Sequence, residues 1–296
     1  MPNYQVHELA RNSREYPDLL KKVSDAPDPL YYLGDLKPQV FENTLAVVGS
    51  RAVTTYGEWI VNTIVKDVAS CGVSIVSGFM YGVDALAHRA ALAAGGNTIA
   101  VMAGGINCIF PKYQETLYCD IAERGLVVSE YAGSSFGGGW MFARRNRIVA
   151  GLSFATLVVE AAEGSGSLIT AKYALQYGRP VWAVPGNLNL PNAYGTTQLL
   201  REGAKMLTCA DDLLSYYFPT SNNYRQAIHG AVNKRLKLKS GDETSQKVLD
   251  ALYIEPLTID ELTHRLHLSV EQILRSATGL CILGQVQERA GRYYVN

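Results

Sequence analysis

Residues 141–171 read MFARRNRIVAGLSFATLVVEAAEGSGSLITA. An arginine-bearing helical segment leads into the apolar run FATLVVEA (154–161), and a glycine-serine loop then opens a further helix at Gly166. A helix, a short run buried on both faces, a loop and a helix make the repeating unit of a sheet covered by helices. Arg144, Arg145 and Arg147 crowd the first helix, while Gly164, Ser165, Gly166 and Ser167 expose backbone N–H groups where the next begins. A helix start carries partial positive charge and unpaired donors, so this loop is a phosphate cradle on one reading. On the other it is a close helix-strand turn. Its spacing is not the GxxxxGK[ST] of a P-loop.

The same alternation extends in both directions. TLAVVG (44–49), VSIVSG (73–78), NTIAVMAGG (97–105), GLVVSE (125–130) and PVWAVPG (180–186) are strand-length apolar runs. Between them the pattern predicts helices over about 55–71, 84–94 and 114–123, one after Gly166 and one ending near Gly203. The predicted fold class is α/β, a parallel sheet with helices on both faces. In such sheets ligands sit beyond the carboxyl ends of the strands. The polar, glycine-rich stretches fall at those ends and bring Ser50, Arg51, Lys112, Arg144, Arg145, Arg147, Ser165 and Ser167 to one predicted rim. A lone Lys or Arg is more often a solvated surface charge. Five at the ends of different strands point to an anion larger than one phosphate.

Other chemistries find less support. The first strand-helix turn, GSRAVTTYG, lacks the GxGxxG fingerprint of a tight dinucleotide site. His88 lies four residues after Asp84, which suits an acid/base pair, although a capping aspartate and a structural histidine fit better. Glu130 and Glu160 are expected to end adjacent or nearby strands, which invites a hydrolase reading. No nucleophile, base and orienting group stand in a favourable order.

At 296 residues, with 27 Lys+Arg against 27 Asp+Glu, the chain has room for a large core and no global charge to draw it to nucleic acid. Any such contact must be local. No apolar run has membrane-spanning length and no signal-peptide core follows Met1, so a cytoplasmic protein is expected. The cysteines Cys71, Cys108, Cys119, Cys209 and Cys281 lack metal-site spacing and read as buried free thiols.

Four segments are predicted. Residues 1–42 form a lead-in with a short helix and turns, packed through Leu30, Tyr31, Tyr32 and Leu36. Residues 43–218 form the main domain, and 219–243 a linker with the basic run Lys234, Arg235, Lys237 and Lys239. Residues 244–296 read as three helices and a hairpin around Gly291, a winged helix, with capping boxes at Thr258–Glu261 and Ser269–Gln272. Its recognition helix carries only Arg275 against Glu271, too little for major-groove readout, which favours partner docking or a weak auxiliary role.

The ordered blocks GSR, SGFMYGVDALAH, FPKYQ, SEY, FARRNRIVAGLS, VVEAAEGSGSLITA and GRPVWAVPG resemble the DprA/Smf family of DNA-processing proteins over nearly the whole chain. The resemblance implies a Rossmann-like, doubly wound fold with a C-terminal winged helix. It implies a homodimer that binds single-stranded DNA, displaces single-strand-binding protein and loads the recombinase RecA during natural transformation, without catalysis or cofactor. By position, Arg51 and Lys112 match strand contacts, and Phe142 matches a base-contacting aromatic. Arg145, Asn146 and Arg147 match the family's RNR, and Ser165, Gly166 and Ser167 its phosphate-side loop. Phe142 reads equally as a core side chain of its helix. The sequence departs from the family pattern at Met80 and Tyr81 (for Ala and Arg), Ala143 (for Pro) and Thr197 (for Asn). Two alternatives stand beside this reading: a binder or hydrolase of a nucleotide-derived ligand, and a winged-helix transcription regulator.

Overall fold

The structure, a computed structural model, describes residues 4–219 and 243–295. The predicted linker and its basic run lie outside the described residues, save the end positions 219 and 243. The chain divides into two compact units, Met1–Tyr224 and Arg225–Asn296.

In the first unit the elements are β1 (His7–Leu9), α1 (Asp18–Lys21), β2 (Leu30–Gly34), β3 (Thr44–Val48), α2 (Thr55–Ile60), α3 (Lys66–Ser70), β4 (Ser74–Gly78), α4 (Val83–Ala93), β5 (Thr98–Val101), α5 (Glu115–Arg124) and β6 (Leu126–Ser129). They continue with α6 (Trp140–Gly151), β7 (Ala155–Val158), α7 (Gly166–Gln176), β8 (Val181–Ala183), α8 (Tyr194–Arg201), β9 (Lys205–Met206) and α9 (Ala210–Tyr217). A π-helical segment, Val61–Val65, joins α2 to α3 where the sequence predicts one unbroken helix.

The strands form one sheet in the order β1-β2-β6-β5-β4-β3-β7-β8-β9. From β6 to β9 all neighbours pair in parallel, whereas β2 is antiparallel to both β6 and β1. From β5 through β3 to β9 this is the doubly wound order of a Rossmann-like sheet. Every residue of β3 and β4 is buried, as a strand sandwiched between helix layers requires. Leu45, Ile75 and Ile99 have no exposed surface, and burial of each such side chain contributes roughly 1.5–3 kcal/mol.

The lead-in is part of this sheet. Leu30–Gly34, expected as a turn-rich contact, is a full strand paired with β6. The segment before it is held by Arg147, whose Nε lies 3.1 Å from Asp25, and by Arg179, which donates to Leu19 O at 2.7 Å. Two further expectations need correction. Glu130 and Glu160 follow β6 and β7, which have β5, β4 and β3 between them, because the chain crosses over the sheet after β6. The cysteines are not buried: Cys209 is exposed at the start of α9 and the other four are half-buried.

The second unit contains α10 (Glu243–Ile254), α11 (Ile259–Leu266), α12 (Val270–Ile282), β10 (Val286–Arg289) and β11 (Arg292–Val295). Both predicted capping boxes form, with Thr258 accepting from Glu261 N and Ser269 from Gln272 N, each at 3.2 Å. The hairpin turns through Ala290 and Gly291, both at positive φ. Val248, Leu252, Leu262, Ile273, Leu280 and Tyr293 form its own core. This is a winged helix. No helix among the described residues is long and apolar enough to cross a membrane.

Candidate functional site

In the doubly wound sheet the chain order reverses between β3 and β7, and a cleft of about 740 Å³ opens there beyond the strand ends. Three helices begin at its edge. Asp84 in the first turn of α4, Gly139 at the start of α6 and Ser165 at the start of α7 all line it. Neither α4 nor α6 has a side-chain cap. Three helix N-termini facing one cavity sum their partial positive charges there.

The loop after β3 carries Ser50 and Arg51 into the cleft. Ser50 Oγ accepts from Ala52 N at 3.1 Å, a local turn that sets the direction of Arg51, and Ser50 O accepts from Val83 N at 3.1 Å. This approach is possible because residue 82 is glycine. Gly82 has φ +82°, and a Cβ there would lie 2.3 Å from Ser50 O and 2.7 Å from Arg51 Cα. The Arg51 guanidinium stands 5.5 Å from the Phe142 ring centroid and 5.8 Å from that of Tyr81. It makes no ion pair with a carboxylate among the described residues, so its charge is available to a ligand.

Arg145 lies on the cleft floor, only 6% exposed, donating to Val101 O. It and Asp84 face each other across Gly78, where a Cβ would lie 2.4 Å from Arg145 Nη2 and from Asp84 Oδ2. Burial pushes the Arg145 guanidinium down, the charge of Asp84 opposes this, and the nearby Arg51 adds to it. Burial likewise pushes the Asp84 carboxyl up, against the pull of Arg145. For both partners desolvation outweighs their mutual attraction.

Asn146 ties the two sides together. Its Nδ2 donates to Gly166 O at 3.0 Å, fixing the α7 loop against α6, and its Oδ1 accepts from Arg145 Nε at 3.3 Å. Ser165 caps α7, its Oγ accepting from Ser167 N at 3.4 Å and lying 2.8 Å from Ser167 Oγ. Nothing lies within 4 Å of a Cβ built on Gly166, so the loop's outer side is open.

The cleft thus gathers Ser50, Arg51, Phe142, Arg145, Asn146, Ser165, Gly166 and Ser167. Three predicted rim residues lie elsewhere. Arg147 is 2% exposed and ion-paired to Glu130 at 2.5 Å and to Asp25. Arg144 points outward and grips the same carboxylate through Nε and Nη2, both at 3.1 Å. Lys112 is exposed on the loop after β5 and does not line the cleft. For Arg144 and Arg147 this corrects the expected rim: successive helix positions diverge by about 100°, and only Arg145 falls on the cleft side.

The carboxylates have structural partners. Burial pushes Glu130 up, but its hydrogen bond from Arg144 and the charge of Arg147 hold it below the usual range. Glu160 accepts from Thr54 N at 3.0 Å and from Thr54 Oγ1, pinning the start of α2. His88 is fully buried, with Nε2 2.7 Å from Gly78 O and Nδ1 2.6 Å from Thr98 Oγ1. A carbonyl can only accept, so Nε2 carries the proton, and His88 is a structural histidine rather than an acid/base partner of Asp84.

Sequence reasoning missed two aromatic residues. Phe110 and Phe136 stack at 5.8 Å and pack on Phe142 at 6.0 and 5.4 Å, forming a wall continuous with the cleft. An aromatic set among glycines, SSFGGGW, is the signal that could have marked Phe136. Of the departures from the family pattern, Met80, Tyr81 and Ala143 line the cleft and Thr197 does not.

The fold and cleft define a Rossmann-like protein with a switch-point cleft and a winged helix in the same chain. Comparison with known proteins narrows this. Residues 7–218 match the model of DNA recombination-mediator protein A, and residues 234–292 that of the DprA winged helix domain. The chain belongs to the DprA/Smf family of DNA-processing proteins. It is 38% identical over 208 residues to DNA processing protein DprA of Bacillus subtilis, covering 70% of each chain. It is 40% identical over 202 residues to that of Streptococcus pneumoniae, covering 68% of this chain and 71% of the other. The solved structure of the Streptococcus pneumoniae protein matches with a TM-score of 0.68 at 37% identity, over 72% of this chain and 74% of that one. DNA processing protein A from Helicobacter pylori, whose structure was described for its single-stranded DNA binding mode, matches with a TM-score of 0.65 at 28% identity, over 73% and 97%.

Proposed function

We propose that this chain binds single-stranded DNA along the cleft. The observation that carries this reading is the placement of the unpaired Arg51 guanidinium against the Phe142 ring, beside three helix N-termini. Single strands need a cationic track for phosphates and aromatic faces for bases, and stacking one base contributes about 1–3 kcal/mol. A duplex hides its base faces and gains only the phosphate part. The Helicobacter pylori relative's single-stranded DNA binding mode supports the same assignment.

The protein acts here as a binder rather than a catalyst, since Glu130 and Glu160, the carboxylates that invite a hydrolase reading, are held by Arg144, Arg147 and Thr54. On the same reading it works in the cytoplasm as a homodimer, protects incoming strands and delivers them to RecA, displacing single-strand-binding protein.

Fluorescence anisotropy of a labelled oligonucleotide and its duplex, at several salt concentrations, tests the binding. Salt-sensitive preference for the single strand is expected, and equal or absent binding of both forms overturns it. RecA filament assembly on strands coated with single-strand-binding protein, with and without this protein, tests the delivery step.

A further inference from the structure

Phe110 and Phe136 come from different loops, one after β5 and one after β6, yet their rings lie nearly parallel, 9° apart. They remain 47% and 41% exposed. Leaving two aromatic rings this open forgoes burial of apolar surface. The loop bearing Phe136 is nonetheless fastened: Gly105 N donates to Ser135 O at 2.8 Å, Asn107 N to Gly133 O at 2.9 Å and Ile106 N to Tyr131 O at 2.8 Å. The exposed stack is therefore held in place by its backbone. With centroids 5.8 Å apart the rings leave no room for a base between them, so a base would meet the exposed surface that each retains. Phe142 touches both rings and also carries Arg51, so the stack begins where the cleft ends. Lys112, two residues beyond Phe110, is exposed and makes no ion pair among the described residues.

We propose that the Phe110–Phe136 stack is a further base-holding surface, taking an unpaired nucleobase of the strand as it leaves the cleft, with Lys112 on the adjoining phosphate. This rests on the single-stranded DNA reading above and adds to it a site outside the cleft. It makes affinity depend on strand length: a strand filling only the cleft cannot reach the stack.

The experiment is anisotropy titration of oligothymidylates of about 4 and about 12 nucleotides, spanning the range of such sites. The proteins are the parent, Phe110→Ala, Phe136→Ala, Phe136→Leu and Lys112→Ala, each checked by thermal melting. Phe110→Ala, Phe136→Ala and the apolar Phe136→Leu should weaken the longer strand roughly 5- to 150-fold, the loss of one stacked base. They should leave the shorter strand and the salt dependence unchanged. Lys112→Ala should reduce the log-log salt slope for the longer strand by about 0.7, one phosphate contact. Parent-like binding of the longer strand by the phenylalanine variants overturns this inference alone. Equal losses for both lengths assign the stack to supporting the cleft and overturn it too. If the parent binds neither strand, the single-stranded DNA reading fails and this inference with it.

Discussion

Arg51 and Phe142 meet across the cleft, the guanidinium 5.5 Å from the ring centroid, although they stand on different elements far apart in the chain. The contact holds the cation without neutralising it, as a carboxylate would. It places a phosphate donor and a base platform side by side.

Arg51→Ala and Phe142→Ala should therefore weaken single-strand binding by separate routes. Loss of the arginine should lower the log-log salt slope by about 0.7, whereas loss of the ring should leave the slope unchanged. Titration at four salt concentrations separates them, and unchanged slope in Arg51→Ala would remove that residue from the phosphate track.

Arg147→Ala should behave in the opposite way. Its guanidinium is buried between Asp25 and Glu130, so its removal should cost about 3 kcal/mol of stability. Urea unfolding should register that loss, with the salt slope of DNA binding as in the parent.

Gly82→Ala should destabilise by at least about 2 kcal/mol, because the added Cβ meets backbone atoms at a positive φ that alanine adopts poorly. The clash falls on Ser50 and Arg51, so DNA affinity should fall with the melting temperature.

His88 gives a pH dependence. Burial lowers its pKa from 6.5 to about 4, the Gly78 carbonyl opposing this and Arg145 adding to it. The unfolded chain thus binds a proton that the folded one refuses. Stability should be intact above about pH 6.5 and fall by roughly 3 kcal/mol as the pH drops to about 4. His88→Asn should be less stable at pH 7 but lack that contribution to the slope, as urea titrations at stepped pH would show.

A chain ending at Phe218 should keep single-strand affinity within about twofold, since every cleft residue lies in the first unit, which has its own core. Loss of all DNA binding on truncation would favour the transcription-regulator alternative.

Alternating apolar runs and helical periods made the parallel sheet legible from β3 to β8, because strands buried on both faces must be apolar throughout. The capping boxes at Thr258 and Ser269 and the hairpin at Gly291 were legible for an equally local reason. The edge was less so: β2, with its tyrosines and half-buried positions, reads as a turn until β6 is seen beside it.

The sequence by itself determined the run of strands and put glycine-rich stretches at their ends, with Ser50, Arg51, Lys112, Phe142, Arg144, Arg145, Asn146, Arg147 and the Ser165–Ser167 loop as candidates for a rim there. Only the tertiary structure decided which cations reach the cleft. Arg144, Arg145 and Arg147 lie within one turn of α6, and a helix repeating every 3.6 residues sets Arg144 and Arg147 on one side, both at Glu130, and turns Arg145 to another. Which direction meets solvent, cleft or carboxylate depends on Asp25, Glu130 and Asp84, brought to α6 by three separate segments of the chain. The same holds for Phe110 and Phe136, whose stacking depends on two loops that only the strand order β6-β5 sets side by side.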